Sequence, residues 1–296
     1  MKKIGQFFFA LIPFFLVIGM QFLASIFAMG LSTVIESFWY NTTGGSQFPD
    51  VLDHLSSFWM SQQFNTYVMI IYALMTITAF GLWYYIKYDG SYLPNPRNTF
   101  HPLSIIGIIM LVPGMQYLST YIVAITVTLF PHWMEIYEEL METAGLNDTF
   151  TVGLFIYSVL LAPFSEELIF RGVTMRQLRK CLPFWAANVM QAILFGAFHM
   201  NMIQGIYAFC LGLILGYVCE KGGSIYYSIL LHLLFNFWAA ALSQFFTIGE
   251  STVSIVCWFL FACVMTIGGL LIFYGGICKL KSTADTTASE EFRSVN

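Results

Sequence analysis

The chain has 296 residues, of which 58% are hydrophobic and 9% are charged, and its formal net charge is -4. A soluble domain carries about a quarter charged residues, so this composition excludes an ordinary soluble protein and indicates one whose solvent is lipid. The mild net charge and the lack of a basic surface argue against a nucleic-acid partner. The six cysteines form no C-x-x-C pair, and we predict no disulfide.

Long apolar stretches recur along the chain, and a transmembrane helix needs about 20 mostly apolar residues. We therefore predict an all-α fold, a polytopic membrane bundle of about eight transmembrane helices. The first span lacks the features of a cleaved signal peptide and is interpreted as a retained anchor, and the sixth is short. The eight candidates are residues 6–29, 66–86, 103–130, 151–170, 184–200, 205–218, 225–242 and 253–278.

Charged residues outside these spans predict the orientation of the bundle. With eight spans, all twelve Lys and Arg residues fall at alternate connections, and the opposite connections carry acidic residues. Because Lys and Arg concentrate on cytoplasmic loops, both termini are predicted to be cytoplasmic. In a bacterial cell this would be a multi-pass protein of the plasma membrane.

The spans divide the chain into four parts. Residues 1–150 hold three N-terminal spans and the outer loops, including an outer stretch (41–63) that is interfacial, re-entrant or an ordinary surface loop. Residues 151–242 form a core of four helices, and residues 243–281 hold the last span. The polar, Ser/Thr-rich residues 282–296 are predicted to be a disordered cytoplasmic tail.

Two adjacent carboxylates lie in the inner half of the fourth span, where a charge costs several kcal/mol unless it is paired or used. Glu167 and Arg171 are four residues apart and can pair on one helical face. Glu166 lies about 100° further around the helix and needs another partner. Pro163 removes a backbone hydrogen bond and predicts a bend just upstream. The alternative is that the carboxylates are only the charged end of a span.

His199 gains significance from its depth. A turn near Leu182 and Pro183 makes the fourth and fifth spans an antiparallel hairpin. Glu166 lies 16 residues before this turn and His199 lies 17 after Leu182. At a rise of 1.5 Å per residue both are roughly 25 Å from the turn, so they are predicted to lie at matching depth. The stretch 171–180 would then project into the cytoplasm.

The seventh span adds His232 and Asn236, four residues apart on one face. Each alone is explained by packing or by a hydrogen bond between helices. Together with the paired glutamates at compatible depth, they predict a functional site on three helices. The remaining histidines are interpreted as interfacial residues: His54, His101 and His132.

These residues form three motifs that resemble the signature of a family of intramembrane proteases. The family comprises CAAX prenyl endopeptidases and bacteriocin-processing or immunity relatives, and is also called CPBP or ABI. The resemblance covers roughly residues 151–242, with no departure at the motif positions. The motifs are Glu166-Glu167-x-x-x-Arg171, Phe195-x-x-x-His199 and His232-x-x-x-Asn236.

Amide hydrolysis needs an activated water and a stabilised oxyanion, and the motifs offer residues for both. Glu166 is the candidate base, and His199 would orient the water. His232 and Asn236 would donate to the oxyanion, an assignment that the resemblance also implies. Glu167 with Arg171 would fix the helix, and Phe195 would pack beside His199.

Several alternatives stay open from the sequence. The cofactor is unknown; zinc is one option, with Glu166, His199 and His232 as its ligands if a metal is bound. The substrate would be a CAAX-type C terminus or a bacteriocin-like or membrane peptide, entering from the cytoplasm or the inner leaflet. The rival functions are a proton-coupled transporter and a non-catalytic immunity or scaffold protein.

Overall fold

The computed structural model describes residues 2–42, 48–88, 100–143 and 151–295, and every regular element within these ranges is helical. The predicted polytopic helical bundle is confirmed. Arg97 and Asp148, two of the residues that predict its orientation, lie outside the described residues. The described helices are α1 (Lys2–Thr42), α2 (Phe48–Trp59), α3 (Gln62–Tyr88), α4 (Pro102–Leu129), α5 (Pro131–Thr143), α6 (Val152–Leu178), α7 (Phe184–Phe198), α8 (Met202–Gly222), α9 (Ile225–Phe245) and α10 (Thr252–Val295).

Seven of the described helices are long and apolar enough to cross a membrane, and among the eight predicted spans the fifth, α7, falls short of this. The prediction located the short helix wrongly: α8 spans 21 residues, whereas α7 has only 15. The chain leaves α7 at Met200, whose φ of 58° is left-handed, and Asn201 then caps the start of α8 by accepting from the Gln204 backbone N–H. At 1.5 Å per residue α7 is about 22 Å long, less than the ~30 Å hydrocarbon core.

The fourth predicted span is longer than expected, because α6 continues past Phe170 to Leu178. Arg171 is 0% exposed, and its neighbours up to Leu178 are buried apart from the partly exposed Arg176. This stretch is therefore packed within the bundle for most of its length, and its projection beyond the membrane into the cytoplasm stays a prediction. The apolar residues Val173, Met175 and Leu178 continue the packing face beyond Arg171, and an internal partner offsets the arginine charge.

Two π-helical segments interrupt α6, Tyr157–Leu161 and Leu168–Met175. The first ends immediately before Ala162 and Pro163, so the widened turn lies where proline removes a backbone donor. Such π-helical turns are frequent at functional sites. In α6 they flank the pair of glutamates on both sides.

Basic residues gather at one end of the bundle. The Lys87 Nζ lies 4.0 Å from the centre of the Phe9 ring near the start of α1. Arg179 Nε lies 3.2 Å from Glu220 Oε1 and so joins the ends of α6 and α8. We call this the basic end. It agrees with the one-sided charge pattern, and the assignment of this end to the cytoplasm stays a prediction.

At the opposite end, α2 lies within the outer stretch 41–63, of which residues 43–47 are outside the described part. His54 of α2 lies 3.0 Å from Glu36 of α1 and anchors the short helix there. Leu55 is buried while Asp50 and Ser56 are exposed, so α2 is amphipathic. An amphipathic helix at a span end favours the interfacial interpretation of this stretch.

Helix α10 begins at Thr252 and continues to Val295, through the tail for which composition predicts disorder. No proline or glycine follows Gly276, so the sequence contains no residue that would stop the helix early. The disorder of this tail in solution stays a prediction. The six cysteines, which were predicted to form no disulfide, are all free.

Candidate active site within the membrane-spanning helices

Glu167 is the centre of a buried polar cluster. Its side chain is 0% exposed, and its Oε1 accepts a hydrogen bond from Arg171 Nη1 at 2.9 Å. The same oxygen lies 2.9 Å from His232 Nδ1 on α9. The structure thus contains the i, i+4 pair that the sequence predicts. It also contains a link between α6 and α9 that the sequence does not predict.

His232 lies between the two glutamates. Because an ionised carboxylate only accepts hydrogen bonds, the contact with Glu167 places a proton on Nδ1 of His232. The other ring nitrogen, Nε2, then faces Glu166 Oε2 at 3.7 Å. This distance is longer than a direct hydrogen bond, so both atoms keep capacity for a third group such as water. Glu166 is 8% exposed, in contrast to the fully enclosed Glu167.

His199 follows the last residue of α7 and caps the end of that helix, rather than lying in the interior of a span. Its Nδ1 donates to the Phe195 carbonyl at 2.9 Å, since a carbonyl oxygen can only accept. This bond leaves Nε2 as the nitrogen with a lone pair. The Asn201 side chain donates to the His199 carbonyl at 3.1 Å. The first bond therefore fixes the tautomer of the imidazole, and the second holds the backbone of His199.

The Phe195 ring joins the parts of this site. Its centre lies 5.0 Å from the His199 ring and 5.8 Å from the His232 ring, both edge to face. The guanidinium carbon of Arg171 lies 4.4 Å from the same centre. The charge of Glu166 also acts on His199. The two histidines, from α7 and α9, thus lie around one aromatic ring beside the carboxylates of α6.

Asn236 makes a contact that α6 itself explains. Its Nδ2 donates to the Ser158 carbonyl at 2.8 Å. In the π-helical turn the Ala162 N–H bonds five residues back to Tyr157, so the Ser158 carbonyl would need the N–H of residue 163. That residue is Pro163, which has none. One N–H of Asn236 supplies the missing bond, and the amide carries a second.

Two polar side chains that the sequence analysis passed over support Arg171. Gln191 Nε2 donates to the Gly212 carbonyl at 2.9 Å, and Arg171 Nη2 donates to the same oxygen at 3.2 Å. Asn188 accepts from Gln191 at 2.8 Å and donates to the Leu213 carbonyl at 2.9 Å. Both residues are polar, lie in the apolar helix α7 and are buried, so the rule that identified the glutamates would also have identified them.

Tyr72 of α3 brings the N-terminal half to the same site. It is 5% exposed, and its ring stacks on Phe198, next to His199, at 6.4 Å between ring centres. Its phenol is close enough to Glu166 for the two groups to interact electrostatically. Sequence reasoning missed Tyr72 because a tyrosine inside an apolar span is also an ordinary packing residue.

Within the described part of the chain, no three His, Cys, Asp or Glu side chains are arranged to hold a metal ion. Glu166 and His232 are adjacent, but His199 does not complete a three-ligand cluster with them. The conditional zinc ligand set is therefore not formed in this structure. The geometry instead presents a partly exposed carboxylate beside two oriented imidazoles, which suits proton transfer and oxyanion binding.

Comparison with known proteins agrees with the resemblance of the three motifs. Residues 148–238 match the Rce1-like family, described as type II CAAX prenyl endopeptidase Rce1-like. This region is about a third of the chain and includes every site residue named above except Tyr72, so the similarity to a CAAX-type peptidase covers the candidate site. No curated protein and no solved structure matches the chain.

Proposed function

We propose that this protein is an intramembrane endopeptidase that hydrolyses a peptide bond near the cytoplasmic side of the membrane. The observation that carries the proposal is the buried cluster of Glu166, Glu167, Arg171 and His232, with His199 beside it. Ionisable groups at this depth cost several kcal/mol and are retained where they are used. The proposed substrate is either a CAAX-type C terminus, cut after a prenylated cysteine, or a bacteriocin-like or membrane peptide.

Glu166 acts as the general base. It takes a proton from a water molecule while the water oxygen attacks the carbonyl carbon of the scissile bond. Its 8% exposure, against 0% for Glu167, supports this role, since a base must be reached by water and by substrate. Because the Nδ1 of His199 is already bonded to Phe195, its Nε2 is the atom that accepts a hydrogen bond from the other water hydrogen. This bond orients the attacking lone pair of the water.

The oxyanion that forms is stabilised by His232 and Asn236. His232 enters the step as an imidazolium, in which Nε2 donates to the oxyanion while Nδ1 donates to Glu167, whose carboxylate stabilises the positive charge. Asn236 contributes its second N–H, the first being bonded to Ser158. The intermediate then collapses, the C–N bond breaks, and the proton held by Glu166 passes to the leaving amine. Arg171 keeps Glu167 ionised and in place throughout.

Access from within the bilayer is favoured by the end of α7. His199 is partly exposed there, and Met200 and Met202 beside it are 77% and 54% exposed. An apolar, lipid-facing surface next to a catalytic side chain suits a substrate that carries a hydrophobic anchor. Entry from the inner leaflet or from the cytoplasm is proposed on this basis, together with the basic end as the cytoplasmic one.

The test compares peptides from cells that express the wild-type protein or the Glu166→Gln variant, with Glu250→Gln, at an exposed position, as a matched control outside the cluster. We expect Glu166→Gln to abolish a set of cleavage products, with a loss of roughly 10²- to 10⁴-fold for purified protein. Glu250→Gln should keep them. Unchanged products in both Glu166→Gln and His199→Ala would argue for a transporter or scaffold instead.

A further inference from the structure

Tyr72 of α3 carries a buried hydroxyl that pairs with none of the described residues. Its side chain is 5% exposed, and its Oη has no hydrogen-bond partner among them. Thr76, one turn further along α3, is also buried, but its Oγ1 donates to the Tyr72 carbonyl at 2.9 Å. A buried polar group without a partner costs about 1–3 kcal/mol. The unpaired hydroxyl of Tyr72 therefore calls for a functional reason.

The packing of α3 places Tyr72 at the candidate site. Helix α3 contacts the segment of α6 that carries the two glutamates (Ala162–Glu167). The Tyr72 ring stacks on Phe198, whose own ring centre lies 5.8 Å from that of His199. The phenol is also close enough to Glu166 to interact with its charge. Tyr72 thus lies beside both the proposed base and the imidazole that would orient the water.

Two other tyrosines also interact with the charge of Glu166, but their hydroxyls are placed differently. Tyr207 of α8 is hydrogen-bonded to the Gln204 side chain. Tyr157 lies nine residues before Glu166, which at 1.5 Å per residue is about 13 Å along α6. Neither is among the buried hydroxyls that lack a partner in the described part of the chain. Of these three phenols, Tyr72 is the one that offers both an unused donor and an unused acceptor.

The proposed reaction contains a step that needs such a group. Glu166 takes a proton from the attacking water, and the leaving nitrogen must receive a proton before the C–N bond breaks. The attacking oxygen and the leaving nitrogen are separate substituents of the tetrahedral carbon, so a carboxyl group positioned at the first is not thereby positioned at the second. A hydroxyl that can accept one proton while it donates another connects the two places.

We propose that Tyr72 relays the proton from Glu166 to the leaving nitrogen, an inference that rests on the proposed peptidase function. The O–H bond of protonated Glu166 breaks and its proton goes to Tyr72 Oη, while the original hydroxyl proton of Tyr72 goes to the nitrogen. The C–N bond then breaks, and the amine leaves as a neutral molecule. The carboxylate and the phenol are both restored. Helix α3, which lies outside the residues matched by the family model, thus contributes a catalytic group.

The experiment uses two probes with the same prenylated cysteinyl acyl group. One is a CAAX-type peptide, whose leaving amine must be protonated, and the other is a para-nitrophenyl ester, whose phenolate leaves without a proton. Purified wild type, Tyr72→Phe and Tyr84→Phe are compared in kcat and KM, with Glu166→Gln as the baseline for each probe. Tyr84 is a buried tyrosine of the same helix, twelve residues after Tyr72, and its ring contacts Arg176 at the basic end.

The two probes should respond differently to the loss of the Tyr72 hydroxyl. Tyr72→Phe should lower kcat for the peptide by roughly 10²-fold with KM nearly unchanged, because phenylalanine keeps the ring and removes only the proton relay. The same variant should cleave the ester at close to the wild-type rate, and Tyr84→Phe should cleave both probes normally. The unfolding midpoint of Tyr72→Phe in detergent should not fall, since the hydroxyl has no hydrogen bond to lose.

Each other outcome overturns the relay or the function on which it rests. An equal loss on both probes would place the Tyr72 hydroxyl at the attacking water or at Glu166 instead. Unchanged rates, or a rise in KM alone, would return Tyr72 to a packing role, and a lower midpoint would contradict the unpaired hydroxyl. A wild type that cleaves neither probe above the Glu166→Gln baseline would count against the proposed function on CAAX-type substrates, and the relay would fall with it.

Discussion

Helices α4 and α10 pack together without charge, whereas α6 and α9 pack through charge. A Cβ at Gly107 of α4 would lie 2.5 Å from the Phe273 backbone nitrogen, and one at Gly276 of α10 would lie 2.5 Å from the Ser104 nitrogen. The α6/α9 contact instead contains Glu166, Glu167, Arg171 and His232. Close approach of small residues is the ordinary means of stabilising a helix pair in lipid, so the charged contact calls for a functional reason.

The continuity of the helices follows the same division. Helices α4 and α10 are uninterrupted, although Pro113 lies inside α4. Helices α6 and α9 contain π-helical segments, and one exposed carbonyl in α6 is satisfied by Asn236 of α9. An irregular backbone alone therefore does not mark the site. The site is marked by an irregular segment whose unpaired carbonyl accepts a hydrogen bond from a polar side chain of another helix.

The largest effect is expected when the charged contact is broken on one side. Arg171→Met leaves Glu167 buried without its cation, and removal of one partner of a buried pair costs about 3–5 kcal/mol. We expect a large fall in the thermal unfolding midpoint in detergent and no activity. The double variant Glu167→Gln/Arg171→Met should recover much of the stability and none of the activity. Equal stability of Arg171→Met and wild type would contradict the burial described here.

A change at the glycine contact should lower stability without affecting catalysis. Gly276→Leu places a side chain against the α4 backbone, and overpacking of this kind costs typically about 1–3 kcal/mol. The unfolding midpoint should fall, while kcat of the remaining folded protein stays near the wild-type value. Gly275→Leu is the matched control, because no atom lies within 4 Å of a Cβ at Gly275. A changed kcat in Gly276→Leu would break the division between the two contacts.

A smaller effect is expected at the polar support of Arg171. Gln191→Leu removes the donor that shares the Gly212 carbonyl with Arg171, and a buried hydrogen bond contributes about 1 kcal/mol. We expect a loss of several-fold in kcat with little change in KM, since the effect passes through Arg171 and Glu167 to His232. Gln191→Glu, which keeps the shape but offers no donor when ionised, should not restore it. A several-fold rise in KM with an unchanged kcat would instead argue for a role in substrate binding.

The sequence predicted most of the site because membrane charges are rare and helical spacing is regular. The Glu167–Arg171 pair follows from i, i+4 geometry, whereas the matching depth of Glu166 and His199, counted from a turn, stays a prediction. The bond between Glu167 and His232 could not be predicted, since it depends on the rotation of α9 about its own axis. The extra length of α6 was missed because Arg171 was taken as the end of a span, although an internal partner allowed its burial.

The last test concerns Asn236, for which the bond to Ser158 and the proposed oxyanion role give different expectations. If its bond to Ser158 is the main role, Asn236→Ala leaves one carbonyl unsatisfied and lowers stability by about 1–3 kcal/mol with kcat retained. The proposed oxyanion role instead predicts that kcat falls by roughly 10²- to 10³-fold, beyond any change in unfolding. Asn236→Ser at a matched midpoint separates the two, because a hydroxyl can donate to only one acceptor at a time. Because Pro163 has no N–H to donate to the Ser158 carbonyl, we expect the hydroxyl of the serine at position 236 to donate there. The loss of kcat should therefore persist in Asn236→Ser.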